Sequence, residues 1–452
     1  MNNIYDKALK SQEKINSFIT IVEPIINDNN GKLNNLYYAA KDNFCTKDIL
    51  TTASSNILSN YIPKYNATVI DKLEQNGAIL IGKTSMDELG MGGTNLNAIN
   101  GSTSNPYDLT RMTGGSSGGS AAVVSANIVD LALGTDTGDS IRKPAGFTGT
   151  IGVKPTYGRI SRYGVIPYAS SLDHVGYFTH NVELSAKVLE VIAGRDDKDF
   201  TSSFKEVLEY SKHLTKDLTN KKIGILKNVT NLMKDPDLVK AFNKLVQDLK
   251  DKGATIIDIN LDNNLLKSIL PTYLIIANCE ASANHSNLDG LRFGDQKPGQ
   301  SMEEIMMNSR TEGLSYNVRK RFIFGSYGLF EENQQDVFVK AQKVRRLIND
   351  KYLEQLKDLD AILAPSSLNI APLKDAKTTI DDELTDEYLI GENHLVISNF
   401  TGCPSMTLPL CYSNNMPMGI NITSNHFDEQ NMFNIALAIE ELTGLKEKRA
   451  WD

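Results

Sequence analysis

The sequence predicts an α/β layered fold with a largely buried sheet, on three observations. A helix, a glycine and a short apolar strand recur as a unit. The β-rich runs KKIGIL and LDAILAP alternate with helical segments. The length of 452 residues, with 40% hydrophobic and 23% charged content, suffices for a large buried core.

In order along the chain, residues 3 to about 26 read as an amphipathic helix followed by a short strand, FITIVEP, ended by Pro24. LNNLYYAAKDNF reads as a strand that delivers Lys41 directly after an apolar run. From Asn66, ATVIDKLEQN is a helix, Gly77 its end and AILI the next strand. The pattern returns at 236–261. There Asp235 can N-cap, Pro236 fits the first turn, and Leu238, Val239, Phe242, Leu245, Val246 and Leu249 share one apolar face. Gly253 closes that helix and ATIIDINL follows as a strand; a long helix over about 334–356 precedes LDAILAP. The polar stretches 299–316 and 372–388 are expected to be long surface loops.

Several function classes are disfavoured. A net charge of −8 does not suit a chain that grips nucleic acid by its own electrostatics. Cys45, Cys279, Cys403 and Cys411 lack a zinc-ligand arrangement and read as reduced thiols; no metal site is expected. The polar N-terminus and the lack of eighteen consecutive apolar residues point to a cytoplasmic protein with no membrane partner.

Thr113–Ala145 carries the chemistry. Two glycine-dense, serine-bearing turns, GGSSGGS and GTDTGDS, bracket an apolar segment. Glycine lets backbone N–H groups approach a ligand, as an oxyanion hole beside a nucleophile requires. Two other patterns compete. Gly77-AILI-Gly82-Lys83-Thr84 fits GxxxxGK[ST], but a phosphate loop follows a strand and opens a helix, whereas AILI reads as the strand itself. Gly115-Ser116-Ser117-Gly118-Gly119 contains GxSxG centred on Ser117; all six histidines of the chain follow it, so counting alone leaves a Ser-His-Asp hydrolase open.

Taken together, Lys41 in AAKDN, Ser116 75 residues on in TGGSSGGSAAVV, and Ser140 24 further on in GTDTGDSIRKPA resemble the amidase signature family in motif and spacing. IGVKPTYGRISRYGV and the run from ASSLDHVGYF onward extend the likeness. The resemblance implies one domain over 1–452, with a mixed central sheet covered by helices on both faces, residues 1–30 packed on it and 113–145 as catalytic core. It implies Ser140 as nucleophile, Ser116 as a proton-relaying serine after a cis peptide bond, and Lys41 as the base. Backbone N–H groups of Thr137, Gly138, Asp139 and Ser140 would form the oxyanion hole. A neutral lysine requires a pKa well below 10.4, which burial can produce. Asp139 departs from the family's usual glycine. A carboxylate about 4 Å from the oxyanion would oppose it by roughly 4 kcal/mol at an effective dielectric of 20, so Lys143, one helical turn on, is expected to pair with it.

MDELGMG, SLDHVG and NLDGLRFG are most similar to the branch of the family that serves glutamyl-tRNA(Gln) amidotransferases. This implies glutamine as substrate, with Arg321 for its α-carboxylate, Glu392 for its α-amino group and Tyr273 as a pocket wall. It also implies a heterotrimer with amidotransferase subunits B and C. Glu-tRNA(Gln) would be held through the partner, and ATP and magnesium used there, with no cofactor on this chain. The alternatives are a stand-alone amidase on other amides, or a scaffold component weakened by Asp139.

Overall fold

The computed structural model describes residues 2–26, 29–377, 379–446 and 448–451. Eleven strands form one mixed sheet in the order β1-β3-β2-β4-β6-β5-β10-β11-β9-β7-β8. The strands are β1 Phe18–Ile21, β2 Tyr37–Lys41, β3 Ile79–Thr84, β4 Leu131–Asp136, β5 Ile151–Lys154 and β6 His174–Thr179. They continue with β7 Lys222–Leu226, β8 Thr255–Ile259, β9 Ala361–Pro365, β10 Ser405–Ser413 and β11 Met416–Thr423. The β3-β2-β4 and β8-β7-β9 sets are parallel, and antiparallel pairs through β6, β5, β10 and β11 join them.

Both faces are covered, and the two-residue period of a strand sorts the side chains between them. Tyr38, Ala40, Leu80, Leu131 and Leu133 enter one cluster with the helices Thr68–Gln75, Val182–Ile192, Pro236–Asp251 and Glu429–Thr443. Ala39, Ile81 and Ala132, one residue out of step, enter another with the helices Asn2–Ile15 and Gly118–Ser125. Lys41 ends β2 in register with Ala39, so its side chain leaves the sheet on the side of the Gly118–Ser125 helix.

Most sequence expectations hold. Asp235 accepts from the N–H groups of Asp237 and Leu238 at the start of Pro236–Asp251, and Gly253 follows that helix with φ +92°. The residue 299–316 loop is a correction, because Met302–Gly313 is a helix. Ser301 caps it by accepting from Glu304 N–H, and its polar composition concealed it because it buries little more than Ser309 and Gly313. The 334–356 helix is interrupted by a π-turn at Gln335–Val339 before Lys340–Leu356. The 372–388 stretch contains a short helix, Ile380–Glu383, and its Thr378 lies outside the described residues.

The Gly82-Lys83-Thr84 triplet lies inside the fully buried strand β3. Lys83 Nζ donates to Phe44 O (2.8 Å) and Thr51 Oγ1 (2.7 Å) and lies 3.4 Å from buried Asp42. Lys83→Met is therefore expected to lower stability by about 3 kcal/mol in urea denaturation, since it strands the Asp42 carboxylate. MgATP should leave the denaturation midpoint of the isolated chain unchanged.

Candidate active site

Lys41 and Thr135 stand at the carboxyl ends of the adjacent parallel strands β2 and β4, where α/β folds commonly place a site. The GGSSGG loop brings two more hydroxyls to them from the start of the Gly118–Ser125 helix. Lys41 Nζ lies 2.8 Å from Ser116 Oγ, 2.9 Å from Ser117 Oγ, 2.8 Å from Thr135 Oγ1 and 3.3 Å from Thr135 O. Lys41 is fully buried. Burial lowers its pKa to about 7, while Asp87, Asp136 and Asp173 pull it back upward. Ser117 Oγ donates to Thr135 O at 3.0 Å, so toward Lys41 it can only accept. A neutral Lys41 then uses its two N–H bonds on Ser117 and Thr135 and turns its lone pair to the Ser116 hydroxyl.

The Gly115–Ser116 peptide bond is cis. Gly115 leaves no room for a side chain: a Cβ there would lie 2.0 Å from Asp87 Oδ2. Asp87 in turn accepts from the N–H groups of Thr94 (3.2 Å) and Asn95 (2.9 Å), which fixes the MDELGMGG turn under the loop.

The GTDTGDS turn follows β4 and is held by a buried clamp. Arg142 donates from Nε and Nη2 to the Asp136 carboxylate (3.1 and 2.9 Å), and also to Gly138 O (2.8 Å) and Asn399 Oδ1 (2.7 Å). Asn399 Nδ2 closes the ring on Asp136 Oδ1 at 2.9 Å. Burial would raise the Asp136 carboxyl, but the Arg142 guanidinium holds it well below the usual range. Thr137 Oγ1 donates to Asp173 Oδ1 (2.7 Å), and Asp173 also accepts from Tyr168 and Ala169 N–H, which explains the SLDHVG stretch. Among the described residues, no protein acceptor engages the N–H groups of Gly138, Asp139 or Ser140. A turn with free donors beside a serine is suited to stabilise an oxyanion.

Ser140 is buried, and its carbonyl accepts from Ser117 N–H at 3.2 Å. Its hydroxyl makes no hydrogen bond to Ser116 among the described residues. Such bonds are commonly long in ligand-free sites and tighten with substrate. No histidine hydrogen-bonds Ser116, Ser117 or Ser140 among the described residues, so the Ser-His-Asp alternative has no partner here.

Of the three expected substrate contacts, Tyr273 and Arg321 lie on one side of the turn. The Tyr273 ring covers Gly138, where a Cβ would meet Cζ at 3.0 Å. Arg321 Nη1 donates to Tyr168 OH at 3.0 Å, and Tyr168 and Ser116 both border Gly90. Glu392 lies across Lys143, whose Nζ is 3.1 Å from Glu392 Oε2 and 3.5 Å from Asp139 Oδ2. The Asp139–Lys143 ion pair is thus formed, with Glu392 as a third member.

A cavity of about 360 Å³ lined by Arg162, Tyr163, His174, Asp199 and Thr201 meets this site at Thr135, whereas Ser116, Ser140 and Arg321 do not line it. Among the described residues, no group of three or more His, Cys, Asp or Glu is placed to hold a metal ion, and no helix is long and apolar enough to cross a membrane.

Sequence reasoning missed Ser117 and Thr135 at Lys41, Tyr168 at Arg321, and the Asp136–Arg142–Asn399 clamp. Ser117 was legible as the second serine of GGSSGG. Asn399 was not, since nothing local ties it to a turn 257 residues earlier in the chain.

With this geometry, the chain belongs to the amidase family, whose model matches residues 2–433. Among its relatives, the A subunit of the glutamyl-tRNA(Gln) amidotransferase from Fusobacterium nucleatum is 39% identical, covering 98% of this chain and 93% of that one. The protein of the same name from Lactobacillus delbrueckii is 40% identical, covering 95% and 90%. The solved structure of the Thermotoga maritima protein of that name has a TM-score of 0.80 at 33% identity, covering 97% and 91%. A native peptide amidase from Stenotrophomonas maltophilia has a TM-score of 0.74 at 26% identity, covering 92% and 84%. The sheet with helices on both sides is the one these structures share.

Proposed function

We propose that this chain is the glutamine-hydrolysing component of a glutamyl-tRNA(Gln) amidotransferase, releasing ammonia for the conversion of Glu-tRNA(Gln) to Gln-tRNA(Gln). The observation that carries this reading is the near full-length identity of 39–40% to relatives bearing that name. The Lys41–Ser116–Ser117–Thr135 cluster beneath a turn of free N–H donors is suited to amide hydrolysis.

In this mechanism neutral Lys41 accepts the Ser116 proton, Ser116 accepts that of Ser140, and Ser140 Oγ attacks the side-chain amide carbon of glutamine. The oxyanion is received by the N–H groups of the Thr137–Ser140 turn. Each such donor typically contributes a factor of about 10²–10³ in rate. Collapse expels ammonia, protonated through the same serine pair, and water then cleaves the acyl ester to give glutamate. Ser117 acts through Lys41, fixing the direction of its lone pair. Arg321 offers a bidentate partner to the α-carboxylate.

The assembly proposed is a heterotrimer with amidotransferase subunits B and C. The partner holds the tRNA and uses ATP and magnesium to activate the glutamyl group. A net charge of −8 suits a chain that leaves the RNA to others. Ser140→Ala is expected to abolish ammonia release from glutamine by the assembled complex. It should also abolish glutamine-driven Gln-tRNA(Gln) formation while sparing formation driven by added ammonium chloride. Release of ammonia that survives Ser140→Ala would refute the assignment and favour a scaffold role.

A further inference from the structure

The substrate's α-amino group requires an anion, and two carboxylates adjoin the turn. Glu392 is already occupied. Its Oε1 lies 2.9 Å from Leu368 N and 3.0 Å from Ser367 Oγ, and its Oε2 lies 3.1 Å from Lys143 Nζ and 3.0 Å from Ser367 Oγ. Lys143 Nζ also donates to Glu392 O at 2.5 Å. A carboxylate offers about four acceptor sites; since Ser367 has a single O–H, these contacts fill at most three of them and bind Glu392 to its own loop and to the Pro365–Leu368 segment.

Asp139 is in the opposite condition. Its carboxylate has one ion-pair partner within 4 Å among the described residues, Lys143, at 3.5 Å, and that ammonium lies closer to Glu392; Arg142 acts on it from farther off. No hydrogen bond from a serine, threonine or backbone N–H reaches it among the described residues. The side chain keeps 23% of its surface exposed, although it adjoins the buried Ser140. Within ion-pair distance Asp139 and Glu392 share a single cation, Lys143, so the two carboxylates lack a second one there. Burial, with Asp136 nearby, raises the Asp139 carboxyl despite Lys143 and Arg142.

The position is also right. Gly138, the residue before Asp139, touches the Tyr273 ring, and Tyr273 interacts electrostatically with both Arg321 and Asp139. A cation and an anion therefore both lie within electrostatic reach of one tyrosine that packs on the residue before Asp139, and an α-amino acid carries the complementary pair of charges.

We infer that Asp139, rather than Glu392, receives the α-ammonium group of the substrate, while Lys143 and Glu392 hold its carboxylate turned away from the oxyanion. This rests on glutamine being the substrate. The departure from glycine at this position is then a specificity determinant, and the substrate's own ammonium supplies the missing cation. Lys143 is a positioning residue for Asp139.

The test compares kcat/KM for glutamine with that for glutaramate, which is glutamine without its α-amino group, in the assembled complex. Asp139→Asn is expected to lower the glutamine-to-glutaramate ratio about tenfold or more, mostly through KM for glutamine. Asp139→Gly, which removes the side chain without adding bulk to the turn, should lower it equally. Glu392→Gln should lower it less. A ratio unchanged in both Asp139 variants overturns the inference, as does a larger fall in Glu392→Gln. Equal loss on both substrates also overturns it, since Asp139 would then act on the oxyanion or on folding. Failure of the underlying reading is seen separately, in wild-type complex that shows no Ser140-dependent hydrolysis of glutamine.

Discussion

Lys41→Met is expected to reduce kcat for glutamine hydrolysis by about 10³-fold or more, as loss of a base that works as a unit with its nucleophile does. The methionine retains the aliphatic length of the lysine at a fully buried position, so packing is largely preserved. Lys41→Arg separates base from cation, because guanidinium stays protonated at any working pH, and it should be equally inactive. The pH dependence follows with a definite sign. Burial lowers Lys41 to about 7, and only the deprotonated amine can accept the Ser116 proton. Below that value kcat/KM should fall about tenfold per pH unit, and above it level off. A rate flat from pH 5.5 to 8.5 in an ammonia-release assay, or a Lys41→Arg variant that retains activity, would remove Lys41 from the base role.

Arg142→Leu should produce the largest loss of stability. Arg142 and Asp136 are both fully buried, and removing one member of such a pair costs about 3–5 kcal/mol. Urea denaturation at neutral pH reads this directly. Here too the sign with pH is informative. In the wild type, burial opposes ionisation of Asp136 but Arg142 prevails, so the folded pKa lies below the unfolded one. That contribution is complete above the unfolded carboxylate value, about 3.9, and is lost as pH falls through the folded value. In Arg142→Leu the main force against burial is gone, leaving Lys154 and the hydrogen bonds from Asn399 and Ile141, so the folded pKa of Asp136 rises and the protonated acid is favoured more than in the wild type. The difference between wild type and variant should therefore shrink as the pH is lowered from 7 toward 4. Glutamine hydrolysis should be lost at every pH, since Gly138 O loses its donor and the turn its shape.

How far the sequence could be read depended on whether a feature was local. The β2 strand was legible from its apolar run, and so was the Pro236–Asp251 helix from its cap, its proline and its spacing. The order of β-strands was not, since no local pattern tells that β10 and β11 insert between β5 and β9. The same division runs through the site. Lys41, Ser116 and Ser140 lie in motifs with fixed internal geometry, whereas Tyr168 reaches Arg321 across 153 residues and Lys143 reaches Glu392 across 249. Asp139 was visible as an oddity and Lys143 as its partner, because both lie on one turn. That Glu392 already accepts from its surroundings depended on Ser367 and Leu368, which carry no motif.

The Arg142 clamp has a bearing on the order in which the protein is made. When Ser140 leaves the ribosome, Lys41 and Ser116 have already been synthesised, so the nascent chain holds the three residues proposed to attack the amide. It does not yet hold Leu395, Ser398 or Asn399, which take three of the donor contacts of Arg142. Without them the guanidinium is incompletely satisfied and the oxyanion turn lacks its far wall. Fragments that stop short of Leu395 are thus expected to carry the lysine and serine motifs without the full set of acceptors around Arg142.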